Sequence, residues 1–300
     1  MVVKVGFVPE HFSTPLHFAL TKGYYQEEGV NVQLIPYPSG SGHLIQSLNS
    51  GELDVAVGLT EAFVRGIADT EKGTKPNYQI AGTYVESPLE WAVSTGTQRD
   101  DLLKLEDMEG GKVGVSRIGS GSYVMSFVLA LQLAFRKPFT GFLVCNTFAS
   151  LRESVNAGTS DMFMWEYFTS KKYYDSGAIK MVGSIKTPWS SWVLVKRTAL
   201  ADEEYAKLAR AISRGIAYFN AHGAEAVDFI NANFDYSKED AAAWLKTVTF
   251  RTNVAAATGV AEMVRNTVKV LKTANVLLHG DAAAVLDANV AAGLYCEKEC

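Results

Sequence analysis

The chain has 300 residues, enough for two modest domains or for one large α/β domain with an ample buried core. Apolar residues make up 48% of it and charged residues 20%, which is typical of a globular protein and excludes a disordered or fibrous one. Lys and Arg total 28 against 32 Asp and Glu, with no Lys/Arg-rich run, so we expect no nucleic-acid partner.

Strands and helices alternate along the first third of the chain. Buried-type apolar runs predict strands, and apolar residues at helical spacing predict helices. The predicted order is strand 4–10, helix 15–25, strand 30–38, helix 43–48, strand 52–58 and helix 60–67. Strands separated by helices of this length predict right-handed βαβ units and a parallel sheet.

A second series of elements starts at Gly111 and repeats the first. Residues 49–58 read NSGELDVAVG and residues 156–165 read NAGTSDMFMW, with Asp54 and Asp161 at an offset of 107 (161 − 54). In each copy Asn-x-Gly is expected to end a helix with a left-handed residue, and the Asp to start the strand that returns to the sheet. The repeat predicts one βαβαβ lobe built twice, the second copy being strand 111–116, helix 123–135, strand 141–148, helix 150–155 and strand 160–165.

Two extended stretches connect the predicted lobes, and helices follow them. Residues 78–94 and 181–197 contain Pro88 and Pro188 and are predicted to be strands that cross between the lobes. Four helices then follow, and we expect them to pack on lobe one, with Ser237 as the N-cap of the third. Their predicted bounds are 202–222, 224–234, 237–247 and 253–273.

The predicted fold class is α/β, with two doubly wound βαβ lobes joined by two crossing strands. Lobe one is predicted to be residues 1–88 plus 192–300, and lobe two residues 89–191. Two lobes on a double crossing form a hinge, so a ligand cleft is expected between them.

The phrases GYYQEEGVNVQL and PSGSGHLIQSLNSGELDVAV resemble the type II periplasmic-binding fold. More narrowly, the chain is similar to the branch of nitrate-, taurine- and alkanesulfonate-binding proteins and fungal thiamine-pyrimidine (HMP-phosphate) synthases. The resemblance covers about the whole chain in element order, with its specific motifs in residues 1–66 and 111–168. It implies two lobes, a hinge of crossing strands and a small ligand clamped between them.

The resemblance also implies what the synthase chemistry would need. The synthases use a lysine that carries pyridoxal phosphate, a nearby histidine beyond the third strand, and a cysteine-rich iron motif near the return crossing. The corresponding stretches here read VGLTEAF and TPWSSWVL and contain none of these residues. We therefore expect no cofactor and no metal.

Ligands of doubly wound sheets bind at the carboxyl ends of the strands, where loops meet helix N-termini. The PSGSG and RIGSGS loops there suit a sulfonate, phosphate or carboxylate, because N–H groups at a helix start favour an anion. Helix capping is the alternative for both loops. The candidate ligand-binding residues, from these loops and from the crossings, are Glu10, His11, Phe12, Ser39, Gly40, Ser41, Thr60, Glu61, Glu86, Arg117, Gly119, Ser120, Gly121, Trp165, Glu166 and Trp189.

Two of these candidates, Glu61 and Glu166, occupy nearly equivalent places in the repeat. Carboxylates facing one site from opposite walls favour an amine, amidine or aminopyrimidine ligand. Two alternatives stay open, an acid–base pair of a hydrolase or surface glutamates at helix starts. Trp165 and Trp189, with Phe12, are predicted to sandwich a flat ring.

Other residues are predicted to have a structural role. Trp192 and Trp244 are interpreted as packing residues, and His11 is the functional candidate among scattered histidines that lack metal-ligand spacing. Cys145, Cys296 and Cys300 form no disulfide framework. Cys296 and Cys300 lie four apart, so pairing or metal binding is possible, but two reduced thiols are favoured.

The leading functional hypothesis is a non-catalytic binding protein that closes over a small polar, planar ligand, either thiamine-pyrimidine-precursor-like or a small anion. The alternative is a pyridoxal-phosphate-dependent enzyme of thiamine pyrimidine biosynthesis, with Lys22, Lys112 and Lys186 as the nearest lysines. A sensor whose closure alters a partner surface is a third hypothesis, without a partner motif. No segment is apolar enough to span a bilayer and no export signal is visible, so we expect a cytoplasmic protein unless a signal has been trimmed.

Overall fold

A computed structural model describes residues 1–137, 139–280 and 282–295 of the protein. The hypotheses for Cys296 and Cys300 therefore lie outside the described residues. Ten strands occur in the described ranges: β1 Val2–Phe7, β2 Asn31–Pro36, β3 Val55–Leu59, β4 Tyr78–Val85, β5 Glu90–Thr95, β6 Lys112–Val115, β7 Gly141–Val144, β8 Met162–Glu166, β9 Lys180–Lys186 and β10 Trp192–Arg197.

These strands form two five-stranded sheets. The first has the order β2-β1-β3-β10-β4 and the second has the order β7-β6-β8-β5-β9. In each sheet the first three strands are parallel, while the crossing strands run antiparallel to their neighbours. We call each sheet with its helices a lobe. The two lobes have the same strand order, as the sequence repeat predicts.

Helices cover the faces of both sheets. The α-helices of the described ranges are α1 Thr14–Thr21, α2 Tyr24–Glu27, α3 Ser41–Ser50, α4 Thr60–Ala68, α5 Gly121–Gln132, α6 Phe148–Asn156, α7 Tyr167–Asp175, α8 Asp202–Ala221, α9 Gly223–Asn233, α10 Lys238–Leu245, α11 Val260–Thr273 and α12 Ala283–Ala292. Because helices cover both faces, the central strands β3 and β8 consist almost entirely of buried residues.

The repeated Asn-x-Gly-x-x-Asp phrase has the same local structure in both lobes. Gly51 follows α3 with φ 81°, and Gly158 follows α6 with φ 67°, the left-handed conformation that ends a helix. The Asp54 carboxylate accepts a hydrogen bond from Lys4 N at 3.0 Å. The Asp161 carboxylate accepts one from Lys112 N at 2.6 Å. In each lobe the aspartate therefore fixes the return of the third strand beside the first.

The two crossings each contain two strands, one in each sheet. β4 leads through Pro88 into β5, and β9 leads through Pro188 into β10. The two connections are bonded to each other, since Leu89 N donates to Thr187 Oγ1 at 3.0 Å and Thr187 N donates to Leu89 O at 3.0 Å. The predicted hinge is thus a pair of linked segments.

The C-terminal helices pack on the first lobe, with α8 against α1 and α2 and both α11 and α12 against α4. Ser237 is the predicted N-cap of α10, and its Oγ accepts from Asp240 N at 3.0 Å. α11 begins seven residues later than predicted, after Gly259 with φ 80°, and α12 is an additional helix that the sequence pattern does not predict. The predicted helix 15–25 is divided at Gly23, which has φ 78°. Among the described residues, no helix has the length and apolar character to cross a membrane.

Candidate functional site

A cavity lies between the two sheets, at the carboxyl ends of their parallel strands. The volume that the centre of a water molecule can occupy in it is about 30 Å³. This is room for about two water molecules and too little for a six-membered ring. The predicted residues that line it are Glu10, Gly40, Ser41, Ser120, Gly121, Trp165 and Glu166. An outer chamber shares Val8, Glu10 and Trp165 with this cavity. Its volume, measured in the same way, is about 180 Å³.

The two Gly/Ser loops approach the cavity from opposite lobes. Gly40, with φ 77°, precedes α3, and Ser41 Oγ accepts from Leu59 N at 2.8 Å. Ser120 caps α5, since its Oγ accepts a hydrogen bond from Tyr123 N at 3.3 Å. Helix capping, the alternative to anion binding, therefore applies to the Ser120 hydroxyl. A side chain at Gly121 would crowd the start of α5, because a Cβ there would lie 2.5 Å from Leu59 Cδ1 of the other lobe.

Glu10 joins the two lobes beside the cavity. It follows β1, is 8% exposed, and its Oε1 accepts a hydrogen bond from Trp165 Nε1 at 3.1 Å. Burial raises the pKa of the Glu10 carboxyl from 4.5 to about 7. The Trp165 ring stacks on Phe148 with centroids 5.0 Å apart, so a fixed indole holds the carboxyl.

Glu61 lies in the first turn of α4 and is completely buried. Its Oε2 accepts from Trp189 Nε1 at 3.0 Å, while its Oε1 has no hydrogen-bond partner among the described residues. Oε1 lies 3.1 Å from the position of a Cβ on Gly121, close to the cavity wall. Burial raises the pKa of Glu61 to about 7. The interpretation of Glu61 as a surface residue is therefore wrong.

Glu166 ends β8 and is 5% exposed, so it is also not a surface glutamate. Its Oε2 caps α7 by accepting from Thr169 N at 2.7 Å. Burial, reinforced by the nearby Glu10, raises the pKa of Glu166 to about 8. His11 Nε2 lies 3.6 Å from the same oxygen, and burial holds the pKa of His11 well below its usual range. Both shifts favour the neutral forms of the two groups in this contact.

The two glutamates of the repeat are not equivalent. β3 ends at Leu59 and β8 ends at Glu166, so Glu166 corresponds to Leu59 and lies two positions before the counterpart of Glu61. Both nevertheless lie close to the cavity, from opposite lobes. Among the described residues, the cavity lining contains no Lys, Arg or His.

Several predicted residues lie away from the cavity lining. Glu86 is exposed and pairs with Arg251 at 3.2 Å, so its predicted place in the cleft is wrong. Phe12 packs between Trp192 and Trp244 instead of facing a ligand. The predicted ring sandwich does not form, since only Trp165 of its three members lines the cavity.

The remaining predicted residues support the walls or the rim. His11 stacks on Tyr236 with centroids 4.4 Å apart. Thr60 Oγ1 donates to Ser190 O in the crossing at 2.6 Å.

The other predicted residues of the second Gly/Ser loop lie at the contact between the lobes. Gly119 has φ 84° and lies against Arg65. Arg117 lies against Gly42 of the other lobe. Ser39 and Trp189 are likewise absent from the lining.

Half of the residues in the cavity wall are not in the candidate list. Trp192, interpreted as packing, lines the cavity. The other lining residues that are not in the candidate list are Val8, Leu59, Leu89, Trp91, Ser116 and Ser122, although Leu59 lies at a strand end that the sequence does select. One signal is present, because Trp91 follows Pro88 by three residues and Trp192 follows Pro188 by four. A tryptophan at nearly the same place in both crossings indicates a shared position at the cleft.

The lysines considered for a cofactor do not line the cavity. Lys22 pairs with Glu225 at 2.9 Å, and Lys186 lies on the hinge side of Glu166. Lys112 lies at the start of β6, the end of the strand away from the cavity. Although three glutamates converge here, no group of three or more His, Cys, Asp or Glu in the described ranges is arranged to hold a metal ion.

Contacts outside the cavity also hold the lobes together. α7 of the second lobe contacts the segment between α9 and α10 through Thr169 Oγ1 and Tyr236 Oη, which are 2.8 Å apart. Lys171 pairs with Asp240 at 3.3 Å, and Lys172 pairs with Asp235. Both lobes therefore contact each other outside the cavity as well as lining one small cavity.

Comparisons with known proteins give the same fold. Residues 91–185 match the family described as Ca3427-like PBP, and residues 1–101 match the NMT1-like family. No curated protein matches the chain. Among solved structures, the alkanesulfonate-binding protein SsuA from Xanthomonas axonopodis pv. citri, bound to MOPS, is 11% identical with a TM-score of 0.73, over 92% of this chain and 94% of that one.

The periplasmic nitrate-binding protein NrtA from Synechocystis PCC 6803 is 16% identical with a TM-score of 0.71, over 96% of this chain and 85% of that one. At such identities the likeness is one of fold alone. The Candida albicans CA3427 gene product is much more similar, 42% identical with a TM-score of 0.89, over 100% of this chain and 99% of that one. It is described as defining a new family with the generic periplasmic binding protein fold. The chain therefore belongs to the family that the CA3427 gene product defines.

Proposed function

We propose that this protein binds a small polar ligand between its two lobes and closes over it by a hinge motion, without catalysing a reaction. In this proposal residues 1–88 with 192–300 form one lobe, residues 89–191 form the other, and the cavity between them is the ligand site. SsuA and NrtA, which share the fold, are described as binding an alkanesulfonate and nitrate.

The observation that carries the proposal is a cluster of buried carboxyls from both lobes. Glu10 and Glu61 come from the first lobe and Glu166 from the second, and each is at most 8% exposed. An unpaired buried carboxylate is costly, so such groups are retained where a ligand or a proton compensates them. The buried Oε1 of Glu61, which has no partner among the described residues, supports the same interpretation.

The carboxyls favour a ligand that donates hydrogen bonds, such as a planar aminopyrimidine of the thiamine-precursor type. The small-anion hypothesis has support from the N-termini of α3 and α5, because each helix N-terminus stabilises a nearby anion by about 0.3–1 kcal/mol. An ionised carboxylate about 4 Å from an anion opposes it by about 4 kcal/mol at an effective dielectric of 20. We therefore favour the donor-bearing ligand.

A ligand that contains a ring must displace part of the cavity wall in order to bind between the two lobes. The inner cavity is too small for a ring, but the outer chamber adjoins it through Val8, Glu10 and Trp165. A ring that separates Trp165 from Glu10 would join the two spaces. The Glu10–Trp165 hydrogen bond then marks the closed form without ligand, and binding replaces it.

The test is isothermal titration calorimetry with 4-amino-5-hydroxymethyl-2-methylpyrimidine, taurine, ethanesulfonate, nitrate and a set of amino acids. We expect the aminopyrimidine to bind, with higher affinity at pH 8 than at pH 6, because its donors need ionised carboxylates. A bound anion would show the opposite pH dependence. Glu61→Gln should weaken aminopyrimidine binding about 10- to 100-fold.

The matched control for Glu61→Gln is Glu86→Gln, because Glu86 is exposed and lies outside the cavity lining. The control should leave the affinity unchanged. If none of the compounds produced heat, or if the two variants behaved alike, the proposal would be wrong.

A further inference from the structure

Two tryptophans that line the cavity have indole N–H groups without an acceptor in the part of the chain that the structure describes. Trp91 and Trp192 are each 3% exposed, and the Nε1 atom of each has no hydrogen-bond partner among the described residues. Trp165 and Trp189, by contrast, donate to Glu10 and Glu61. A buried donor that has lost water without gaining an acceptor destabilises a fold, so each such group needs an explanation.

The two indoles occupy equivalent positions in the two lobes. Trp91 of β5 is in register with Glu166 of β8, and Trp192 of β10 is in register with Leu59 of β3. Leu59 and Glu166 are the corresponding last residues of the third strand in each lobe. Each tryptophan therefore stands beside a parallel-strand end, on the side of its own lobe that forms the cavity wall.

Packing holds both rings in place. The Trp192 ring stacks on Phe12 with centroids 5.0 Å apart. Trp91 Cη2 lies 3.0 Å from the position of a Cβ on Gly121, where α5 begins. Because these rings cannot rotate freely, their N–H groups are fixed donors rather than adaptable ones.

We propose that Trp91 and Trp192 are specificity-determining residues, each donating one hydrogen bond to an acceptor atom of the bound ligand. This inference rests on the proposed function and refines it. An indole N–H can only donate, whereas the carboxylates of Glu10 and Glu61 can only accept when ionised. The ligand is therefore a small molecule with acceptors on one edge and donors on another, as in an amino-substituted nitrogen heterocycle.

This pairing predicts selectivity between ligands of the same shape. 4-Aminopyrimidine and aniline both present a ring and an amine, but only 4-aminopyrimidine has ring nitrogens that accept hydrogen bonds. A site with fixed polar groups rejects the analogue that leaves them unpaired. We expect the protein to bind 4-aminopyrimidine at least about tenfold more tightly than aniline.

The experiment combines calorimetry with ¹H–¹⁵N spectra of the indole groups in the full chain, using 4-aminopyrimidine and aniline as probes. The chain has five tryptophans, so five indole resonances are expected. Those of Trp91 and Trp192 should move downfield on addition of 4-aminopyrimidine and not of aniline. Trp244, packed against Phe12 and Phe250, is the internal control that should stay unchanged.

Trp91→Phe and Trp192→Phe separate hydrogen bonding from packing. Each should reduce the affinity ratio of 4-aminopyrimidine to aniline about tenfold, because lost ring contacts weaken both probes alike. If 4-aminopyrimidine bound the wild-type protein while both indole resonances stayed in place, or if the ratio survived the substitutions, the inference would fail and the proposed function would stand. If neither probe bound but a compound of the calorimetry panel did, the inference alone would fail. If no compound bound at all, both would be contradicted.

Discussion

The three buried carboxyls make the closed form sensitive to pH. Carboxyls of Glu10, Glu61 and Glu166 have pKa values raised by burial, to about 7, about 7 and about 8. A raised carboxyl pKa means that the folded, closed state binds protons that the unfolded state has already released. The contribution of these three groups to stability should therefore be fully present below about pH 4.5, where they are protonated in both states, and should be lost as the pH rises through 7 to 8.

We predict that Glu166→Gln flattens this pH dependence. Gln keeps the acceptor that caps α7 but cannot ionise. Burial raises the pKa of the Glu166 carboxyl from 4.5 to about 8. Such a group lowers the unfolding free energy by about 3 kcal/mol as the pH rises from 5 to 8. The variant should lose less stability than the wild type over that range, by about this amount, as measured by urea denaturation at both pH values.

The control for this measurement is Glu86→Gln, which changes an exposed carboxyl. It should follow the wild type at both pH values. Equal pH dependence of wild type and Glu166→Gln would show that Glu166 is not a proton-binding group of the folded state.

At the residue scale, position at a strand end predicts some of the side chains that line the cavity. The rule that ligands bind at strand ends selects Glu10, Ser41 and Glu166, and all three line the cavity. The rule fails for Trp91 and Trp192, because their place in the cavity wall depends on the crossing strands, whose register with β8 and β3 is set by long-range pairing. A local pattern cannot show which face of a crossing strand meets the cavity.

At the scale of the elements, the duplicated aspartates tie three parts of each lobe together. Beyond their bonds to strands β1 and β6, Asp54 accepts from Arg197 Nη2 at 2.9 Å and Asp161 accepts from Arg99 Nη1 at 2.6 Å. Arg197 ends β10, and Arg99 follows β5. Each aspartate therefore fixes the third strand, the first strand and the crossing strand at the end of the sheet away from the cavity.

We predict that Asp54→Ala and Asp161→Ala each lower the unfolding free energy by about 2 kcal/mol, since each removes two charge-assisted hydrogen bonds. The measurement is urea denaturation followed by far-UV circular dichroism. Asp100→Ala, at an exposed position, is the control and should change stability by less than about 0.5 kcal/mol. A similarly small change in both Asp54 and Asp161 variants would contradict the structural role of the repeat.

Element boundaries can be predicted well where a local stop signal exists. The predicted start of α4 at residue 60 agrees with the structure, where α4 begins at Thr60 because Leu59 ends the strand. The predicted helix 253–273 is too long, because apolar spacing continues through residues that instead form turns before Gly259. The predicted strand 141–148 is also too long: β7 ends at Val144, and α6 begins at Phe148 after its Thr147 cap.

At the scale of the whole molecule, the repeat and the crossings are sufficient to predict the two-lobe fold. The comparison with the CA3427 gene product confirms that fold over the full chain. The relative position of the lobes cannot be predicted from local sequence. It depends on contacts between distant segments, such as Glu10 with Trp165 and Tyr236 with Thr169.

Small-angle X-ray scattering with and without the aminopyrimidine tests ligand-driven closure most directly. A compact chain of this length has a radius of gyration of about 19 Å. At pH 8 the ionised carboxylates oppose closure, so we expect a larger radius without ligand and a decrease to the value of the closed structure when the aminopyrimidine is added. An unchanged radius in the presence of a compound that binds by calorimetry would contradict the account.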